Sequence, residues 1–527
     1  MKRFTLLLIP FIAFFAVSCS GGGGGSTPPP PTGGFANSSL KGQYAFIMTG
    51  QAPDGFIARI GSFTADGSGG ISGGLEIVST ATNALQILQF TASNYSVQAD
   101  GRGAINLTNL TGTISFSITM TSTTSGYISQ TDGITGTSGT FELQDSSAFT
   151  PTAINGPFVF DTSGLDPNGN VDSIVGQFTL NSQTIPTGVF DENVDATLSG
   201  PQTITNGTYF LDSTNGSTVG LGQMSFGGFL YDFIIVNSRK IHLIEVPGTG
   251  SDLPITIGTA IGQTAAPTTN AAFNGSYAFL TSGVGTTTFD FKAGRFTANN
   301  GSLSAIAMDE KLLGDSITQI PKGTLSAMTY DVDQNFPGSG RVTISFLDSS
   351  NSKPYQFIAY MASASQGVIQ DNGPGIVGDG QILAQTSGPF SNSSVAGDYG
   401  FNWTGVSNNN TNNTTGEEDF VGHVTVTSAA SNNTTGAMDY SELNLVDPAK
   451  VGIHNAPLSG VLTINGDGTT STGNRNTVSV NATNPNGGPS STFNFNLYPV
   501  NSSTMFVIET DKDHCTGGTF TRQITPP

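Results

Sequence analysis

The chain has 527 residues and a formal net charge of −20, from 17 basic and 37 acidic side chains, and only 10% of its residues are charged. This length exceeds what a single hydrophobic core usually supports, and the acidic balance argues against a nucleic-acid partner, which needs a basic surface. With 69 glycines, 26 prolines and many threonines, the composition favours strands and turns over helices. The sequence therefore predicts an all-β protein of several domains.

The first predicted element in chain order is a secretory signal that ends at a cysteine. Two basic residues precede an apolar run over residues 4–17, which is too short to cross a bilayer as a helix but suits a signal peptide. The run ends in Ala16-Val17-Ser18-Cys19, which resembles the lipobox of bacterial lipoproteins. The resemblance implies that residues 1–18 are removed and that Cys19 is acylated. It also implies anchoring in the outer membrane or on the cell surface, with the periplasmic face as the alternative.

A tether follows over residues 19–36. It contains a glycine run at residues 21–25 and a proline run at residues 28–31. Glycine runs behave as flexible coils, whereas proline runs favour an extended polyproline II spacer. We therefore expect this segment to lift the domains away from the membrane.

A signature of alternating aromatic residues then opens four similar units. Its glycine recurs at four positions, Gly42, Gly156, Gly275 and Gly397. An aromatic residue follows each glycine after two and after four positions. The glycines lie 114, 119 and 122 residues apart, so each unit has the size of a domain. We predict four separately folding β repeats over residues 37–150, 151–269, 270–390 and 391–527.

Two further landmarks keep the same order in every copy. A Gly-x-Phe-Thr element, with Val in place of Phe in the fourth copy, follows the opening. Each copy then closes on Gly-x₄-Gln, with the glutamines at Gln144, Gln263, Gln385 and Gln523. Landmarks in constant order indicate that the four copies share one fold.

Within a copy, the pattern predicts antiparallel strands joined by tight turns. Tyr44 and Phe46 lie on one face of a strand because side chains alternate, and Asp66-Gly67 marks a hairpin turn. In the first copy, eight strands begin near Gln43, Ile57, Gly70, Leu85, Tyr95, Ala104, Ile114 and Gly139. Residues 127–130 form a ninth strand or a continuation. An eight-stranded up-and-down barrel would leave no exposed edge, and an immunoglobulin-like β-sandwich is the alternative.

The opening of the first copy, with Leu40, Gly42 and Tyr44, resembles that of the calycins, the group of lipocalin-like and avidin-like barrels. In that group the first strand carries Gly-x-Trp. Here tyrosine or phenylalanine replaces the tryptophan, and only the opening strand of each copy matches. The resemblance implies eight-stranded barrels that either hold one small ligand or are filled by their own side chains.

A polar residue recurs at the end of a late strand in each copy. This column comprises Gln130, Glu245, Gln370 and Glu509. We regard these residues as candidate ligand contacts, and a strand that leaves the sheet for a turn is the alternative interpretation.

The sequence contains no recognisable catalytic, metal-binding or cofactor motif. The four histidines lack metal-ligand spacing, no nucleophile elbow occurs, and acylation of Cys19 leaves Cys515 as an unpaired, partly buried thiol. Trp403 is predicted to lie in a core, and the acidic residues 417–419 are predicted to be solvated. We therefore expect no catalytic residue, no cofactor and no metal.

Two classes of function fit these observations. The first is a non-enzymatic, lipid-anchored protein whose tandem repeats serve binding, adhesion or spacing, with an unknown protein, glycan or small molecule as ligand. The second is a carrier with lipocalin-like lumens, or an enzyme with an unrecognised site. A carrier predicts a roomy apolar lumen in each barrel, whereas a spacer predicts filled interiors.

Overall fold

Antiparallel strands make up nearly all the regular structure of the computed structural model. The structure describes residues 34–526 except 131–134, 249–250, 252, 286–287, 323, 351, 387, 410–413, 429–431, 445–451, 467–474 and 487–489. The predicted signal peptide, Cys19 and most of the tether lie outside the described residues. Helical structure in the described part consists of α1 (Gly216–Val219) and three 3-10 turns, Asn37–Ser39, Ser146–Ala148 and Asn392–Val395.

The first two repeats contain nine strands each. The first repeat is built from β1 (Lys41–Ala52), β2 (Gly55–Asp66), β3 (Gly70–Thr80), β4 (Asn83–Gln89), β5 (Ser93–Val97), β6 (Arg102–Asn109), β7 (Gly112–Ser122), β8 (Ser125–Gln130) and β9 (Gly136–Leu143). The second is built from β10 (Gly156–Leu165), β11 (Val171–Asn181), β12 (Thr184–Val194), β13 (Thr197–Ile204), β14 (Gly207–Leu211), β15 (Leu221–Phe226), β16 (Phe229–Asn237), β17 (Lys240–Glu245) and β18 (Ile255–Gly262).

The third repeat follows the same plan, and the fourth is simpler by one strand. The third is built from β19 (Gly275–Gly285), β20 (Phe289–Asn299), β21 (Ser302–Leu312), β22 (Thr318–Ile320), β23 (Leu325–Val332), β24 (Arg341–Asp348), β25 (Lys353–Ser363), β26 (Gln366–Asp371) and β27 (Ile376–Ala384). The fourth is built from β28 (Gly397–Asn409), β29 (Thr414–Val426), β30 (Asn432–Asn444), β31 (Ile453–Thr463), β32 (Asn476–Ala482), β33 (Ser491–Pro499), β34 (Thr504–Glu509) and β35 (His514–Arg522). Each set of strands lies within one predicted repeat, and separate folding of the repeats remains a prediction.

Every sheet closes on itself, which confirms the prediction of four eight-stranded antiparallel barrels. In the first repeat the ring of pairings runs through β1, β2, β3, β5, β6, β7, β8 and β9 and returns to β1. β3 pairs with β4 through residues 75–80 and with β5 through residues 70–71, so the two short strands share one place in the ring. The segment around Tyr127 is a strand of its own, β8. Closed barrels rule out the β-sandwich alternative.

The barrel interiors are filled by side chains, many of them aromatic. In the first barrel, Tyr44 stacks on Phe63 with the ring centroids 5.6 Å apart, and Phe141 meets Tyr44 edge-on. In the fourth barrel, Trp403 is fully buried, as predicted, and stacks on Phe401 at 4.1 Å. Each large apolar side chain buried in this way contributes ~1.5–3 kcal/mol. Over the described residues the lumens are therefore packed cores.

The closing glutamine of each repeat docks onto a neighbouring barrel. Gln144 donates from its side-chain amide to two backbone carbonyls of the second barrel. The two middle glutamines make equivalent contacts with the third and fourth barrels. Gln523 donates to the carbonyls of Asp100 and Met120 in the first barrel, at 2.8 Å each. The last repeat thus contacts the first, and the four barrels form a closed ring.

An ion pair recurs at three of the four interfaces between barrels. Asp191 of the second barrel accepts two hydrogen bonds from Arg341 of the third, at 2.7 and 2.8 Å. The equivalent pairs are Asp309–Arg475 at 3.0 Å and Asp439–Arg102 at 4.0 Å. The three aspartates occupy equivalent positions. The glycine of the Gly-x-Phe/Val-Thr landmark pairs with a residue of the next strand, and the aspartate comes directly after that residue. Between the first and second barrels these places are taken by Ile77 and Leu221, which pack together in an apolar cluster.

The interface that closes the ring differs in its chemistry from the other three. Apolar clusters join the first barrel to the second, the second to the third, and the third to the fourth. Hydrogen bonds join the fourth to the first, between the hydroxyls of Tyr127 and Thr521, from Ser117 to Asp439 and from Asn402 to Ser138. Over the residues that the structure describes, the ring therefore has one polar seam, between its last and first barrels.

Candidate functional site

Three of the four residues in the predicted polar column, Gln130, Glu245 and Glu509, lie inside their barrels, at the same end of each. Gln130 follows Ile128 by two residues, and Ile128 packs in the first core, so both side chains face inward. The same register holds for Glu245 and Glu509, which are 6% and 0% exposed. Each of these residues is enclosed in its own barrel, so the structure does not bring the column together into one site.

The third copy departs from this alignment by one residue. Ile369 packs in the third core and pairs with Gly380 of the closing landmark. Asp371 is therefore the inward-facing residue. Gln370 faces the second barrel, where its side-chain amide donates to the carbonyl oxygen of Ser173 at 2.7 Å. Adjacent residues of a strand point to opposite faces, so a shift of one position exchanges an interior place for an interface.

A second inward column, which the sequence analysis missed, faces the first. It comprises Ile57, Asp172, Asp290 and Glu418. In every copy this residue pairs with a glycine eight positions after the opening glycine, namely Gly50, Gly164, Gly283 and Gly405. A Cβ at these glycines would lie 1.9–2.3 Å from a backbone carbonyl oxygen of the last strand, so only glycine allows that close approach. The recurring glycine is the sequence signal that marks this end of the barrels.

The third barrel balances its pair of carboxylates with a buried lysine. The Lys292 ammonium lies 2.7 Å from an oxygen of Asp290, 2.7 Å from one of Asp371 and 3.2 Å from one of Glu310. Desolvation alone would lower the pKa of Lys292, but the surrounding carboxylates raise it above its usual value. A cation is thus held between the two inward columns of this barrel.

The fourth barrel places a histidine beside its pair, Glu418 and Glu509. His514 Nδ1 lies 2.9 Å from Oε2 of Glu418, and the Thr516 hydroxyl donates to the other oxygen of Glu418. Burial disfavours the imidazolium, but Glu418 and the other nearby carboxylates raise the pKa of His514 to about 9. Burial, reinforced by the charge of Glu418, raises the pKa of Glu509 well above its usual value.

The prediction that residues 417–419 are solvated is wrong for Glu418 and Asp419. Glu418 is 2% exposed because it faces into the fourth barrel, and Asp419 is 0% exposed. Asp419 lies on the opposite face of the strand, against Gly136 of the first barrel, and accepts a hydrogen bond from the Thr404 hydroxyl at 2.8 Å. Burial raises the pKa of Asp419 to about 7. The sequence could not reveal this because a neighbouring barrel covers the charges.

The second barrel contains the pair Asp172 and Glu245. Within the described part of the chain, neither forms an ion pair, and Oδ1 of Asp172 has no hydrogen-bond partner. Thr256 donates to Glu245 at 2.6 Å. Burial, together with the charge of Glu192, raises the pKa of Asp172 to about 8 and that of Glu245 to about 7. Both carboxyls are therefore substantially protonated near neutral pH.

The four barrels meet around a cavity of about 410 Å³. The ends of the first two strands of every barrel converge on it. Its apolar lining includes Phe56, Leu165, Phe289 and Val406, one from each barrel. Three acidic residues also line it, Asp172, Asp379 and Glu417. Burial raises the pKa of Asp379 and of Glu417 above the usual range. This volume falls within the range of small-molecule sites, roughly 300–1,000 Å³.

The remaining cysteine, Cys515, faces the interface between the third and fourth barrels. It is fully buried, and its thiol donates to the carbonyl oxygen of Lys311 at 3.3 Å. Burial raises the pKa of the thiol, which disfavours the reactive thiolate. Cys515 therefore packs as a small apolar residue.

The described part of the chain has no helix of the length and apolar character needed to span a bilayer.

No protein-family model and no curated protein matches the chain. Among solved structures, it is similar to a mutant of the vaccine antigen Transferrin Binding Protein B from Haemophilus parasuis, with 9% identity over 76% of this chain and 83% of that chain and a TM-score of 0.21. It is also similar to a protein with unknown function of the DUF3598 family from Nostoc punctiforme, with 12% identity over 48% of this chain and 98% of that chain and a TM-score of 0.16. At these TM-scores neither likeness carries an argument about function.

Proposed function

We propose that this protein is a non-enzymatic, lipid-anchored binding protein of the bacterial outer membrane or cell surface, which holds a small ligand in the cavity between its four barrels. The observation that carries the proposal is the cavity, because all four repeats contribute to its lining. Barrels locked to one another by repeated contacts preorganise such a site, and preorganisation lowers the cost of binding.

A ligand inside a barrel lumen, as in a lipocalin-like carrier, has less support. Buried side chains fill the core of each repeat. Adhesion or spacing would use the outer surface and would leave the shared cavity without a role. A small molecule therefore suits the geometry better than a glycan chain or a protein partner.

The lining favours a ligand with an apolar body and a basic group. Phe56, Phe289 and Phe291 supply aromatic surface, which suits a flat apolar molecule. Asp379 and Glu417 line the same cavity, and a ligand ammonium would favour their ionised forms. An anionic ligand would instead meet like charge.

Tryptamine tests this ligand class, with tryptophol and indole-3-acetate as its uncharged and anionic counterparts. We expect isothermal titration calorimetry of the mature chain to show tryptamine binding at least about tenfold tighter than tryptophol, a difference of about 1.4 kcal/mol. Indole-3-acetate should not bind. Equal binding of all three compounds would contradict the role of the carboxylates.

The location of binding is tested by filling the cavity. Ser282 lines it with an exposed side chain, so Ser282→Trp should weaken tryptamine binding by more than about tenfold while the melting temperature stays unchanged. Leu110, which is 94% exposed, provides the control, because Leu110→Trp adds the same ring outside the cavity. Tryptamine binding that survives Ser282→Trp would place the ligand elsewhere and overturn the proposed site.

The anchor is tested by replacing Cys19 with Ser. We expect nearly complete loss of fatty-acid labelling and release of the protein from the membrane fraction, because acyl chains on that sulfur and amino terminus hold the chain there. Cys515→Ser is the matched control and should leave labelling unchanged. Labelling that persists in Cys19→Ser would exclude Cys19 as the lipidation site.

A further inference from the structure

We propose that Glu418, Glu509 and His514, at the inner end of the fourth barrel, bind one divalent transition-metal ion. This site is separate from the ligand cavity and does not depend on the function proposed above. One donor atom from each of the three side chains lies within 4.8 Å of the other two. An ion at their centre would therefore be within reach of two carboxylate oxygens and one imidazole nitrogen after small side-chain adjustments.

The state of Glu509 is the second observation that points to an ion. Its side chain is 0% exposed, and among the described residues neither of its carboxylate oxygens has a hydrogen-bond partner. The nearby Thr516 hydroxyl donates to Glu418 instead. A buried carboxyl group that makes no hydrogen bond is costly, and coordination to a cation would satisfy both oxygens.

The third barrel shows that this place in the fold accommodates positive charge. Asp290 and Asp371 occupy the positions equivalent to Glu418 and Glu509. There the Lys292 ammonium lies 2.7 Å from both aspartates. In the fourth barrel Phe420 stands at the position of Lys292, so this lysine has no counterpart at that position. A metal ion would supply the charge that the lysine supplies in the third barrel.

The donor set indicates the class of ion. Carboxylates alone suit magnesium or calcium, whereas an imidazole in the set favours a first-row transition metal such as zinc. Three protein ligands leave a position for water. The His514 side chain is 30% exposed whereas that of Glu418 is 2% exposed, so the ion would enter from the histidine side. Metal binding would displace the proton that lies between Nδ1 of His514 and the carboxylate of Glu418.

The test is zinc binding by the full mature chain after treatment with a chelator. We expect isothermal titration calorimetry to show one Zn²⁺ per chain, with Mg²⁺ and Ca²⁺ binding at least about 100-fold more weakly. Glu509→Gln keeps the shape of the side chain and removes its charge, and should weaken Zn²⁺ binding at least about tenfold, as loss of even an indirect partner of a metal site commonly does. Asp371→Asn makes the equivalent change in the third barrel and should leave Zn²⁺ affinity unchanged.

A second measurement separates the ion from a purely structural role of Glu509. Zn²⁺ should raise the melting temperature of the wild-type chain and of Asp371→Asn, because a ligand of the folded state stabilises it, and should not raise that of Glu509→Gln. His514→Gln gives a second variant in case Glu509→Gln fails to fold, and it should lose Zn²⁺ binding in the same way. His454→Ala, at a more exposed histidine, controls for adventitious binding. Absence of stoichiometric Zn²⁺ binding, or an equal loss in Asp371→Asn or His454→Ala, would overturn the proposal.

Discussion

Replacing Asp191 with Ala should lower the free energy of unfolding by about 3–5 kcal/mol, as loss of one partner of a buried ion pair commonly does. Asp191 is 0% exposed and accepts hydrogen bonds from Arg341 and from the Tyr360 hydroxyl. The substitution leaves the Arg341 guanidinium buried at the interface, with Asp333 as its remaining partner at 3.0 Å. Urea unfolding followed by circular dichroism measures the loss.

The interface between the first and second barrels provides the matched control. There the positions of Asp191, Arg341 and Tyr360 are held by apolar residues, Ile77, Leu221 and Ile234. The triple variant Asp191→Ile, Arg341→Leu and Tyr360→Ile places the same apolar residues at the interface between the second and third barrels. It should recover most of the lost free energy of unfolding, because apolar packing can replace a buried ion pair. A triple variant as unstable as Asp191→Ala would contradict this account, as would an unchanged single variant.

Raising the pH from about 5 to about 8 should lower the free energy of unfolding by several kcal/mol. Burial raises the pKa of Asp172 to about 8 and that of Glu245 to about 7, whereas both titrate near pH 4 in an unfolded chain. Between these values the folded protein binds more protons than the unfolded chain, so stability declines as pH rises. The contribution is complete below about pH 4 and lost as the pH passes about 8, at up to ~1.4 kcal/mol per pH unit for each group. Melting temperatures across this range measure the slope.

Asp172→Asn measures the share of this slope that comes from Asp172. The variant should match the wild type near pH 4 and be more stable than it near pH 8, because the amide does not ionise. Asp66→Asn is the control, since backbone hydrogen bonds lower the pKa of the exposed Asp66 and its contribution changes only in acid. A slope that is the same in Asp172→Asn and in the wild type would show that this carboxyl does not control it.

The fold could be predicted from the sequence because its determinants are local and repeated. The alternation at Tyr44 and Phe46 and the turn at Asp66-Gly67 are properties of adjacent residues. The same pattern occurs in four copies, so a strand that is clear in one copy predicts the corresponding strand in the others.

The candidate site was less accessible because its determinants join distant parts of the chain. The carboxylate pairs combine a residue of the second strand with one of a late strand, such as Glu418 and Glu509. Gln370 was predicted as the third member of the polar column because it is polar like the other members. Whether its side chain faces the barrel interior depends on the register of its strand, and the register is set by pairing with a neighbouring strand. The glycine eight residues after each opening glycine was the one visible signal, and its meaning depends on how closely the last strand approaches.

Both ends of the described chain lie at the polar seam. The Phe35 amide donates to the carbonyl of Ala99 at 3.0 Å, and Gln523 donates to the carbonyl of Asp100. A mechanical load applied between the two ends therefore passes first through the hydrogen bonds of this seam, while the three apolar interfaces lie in series on the far side of the ring. Among the described residues, the interface that bears this load first is therefore the one that lacks an apolar cluster.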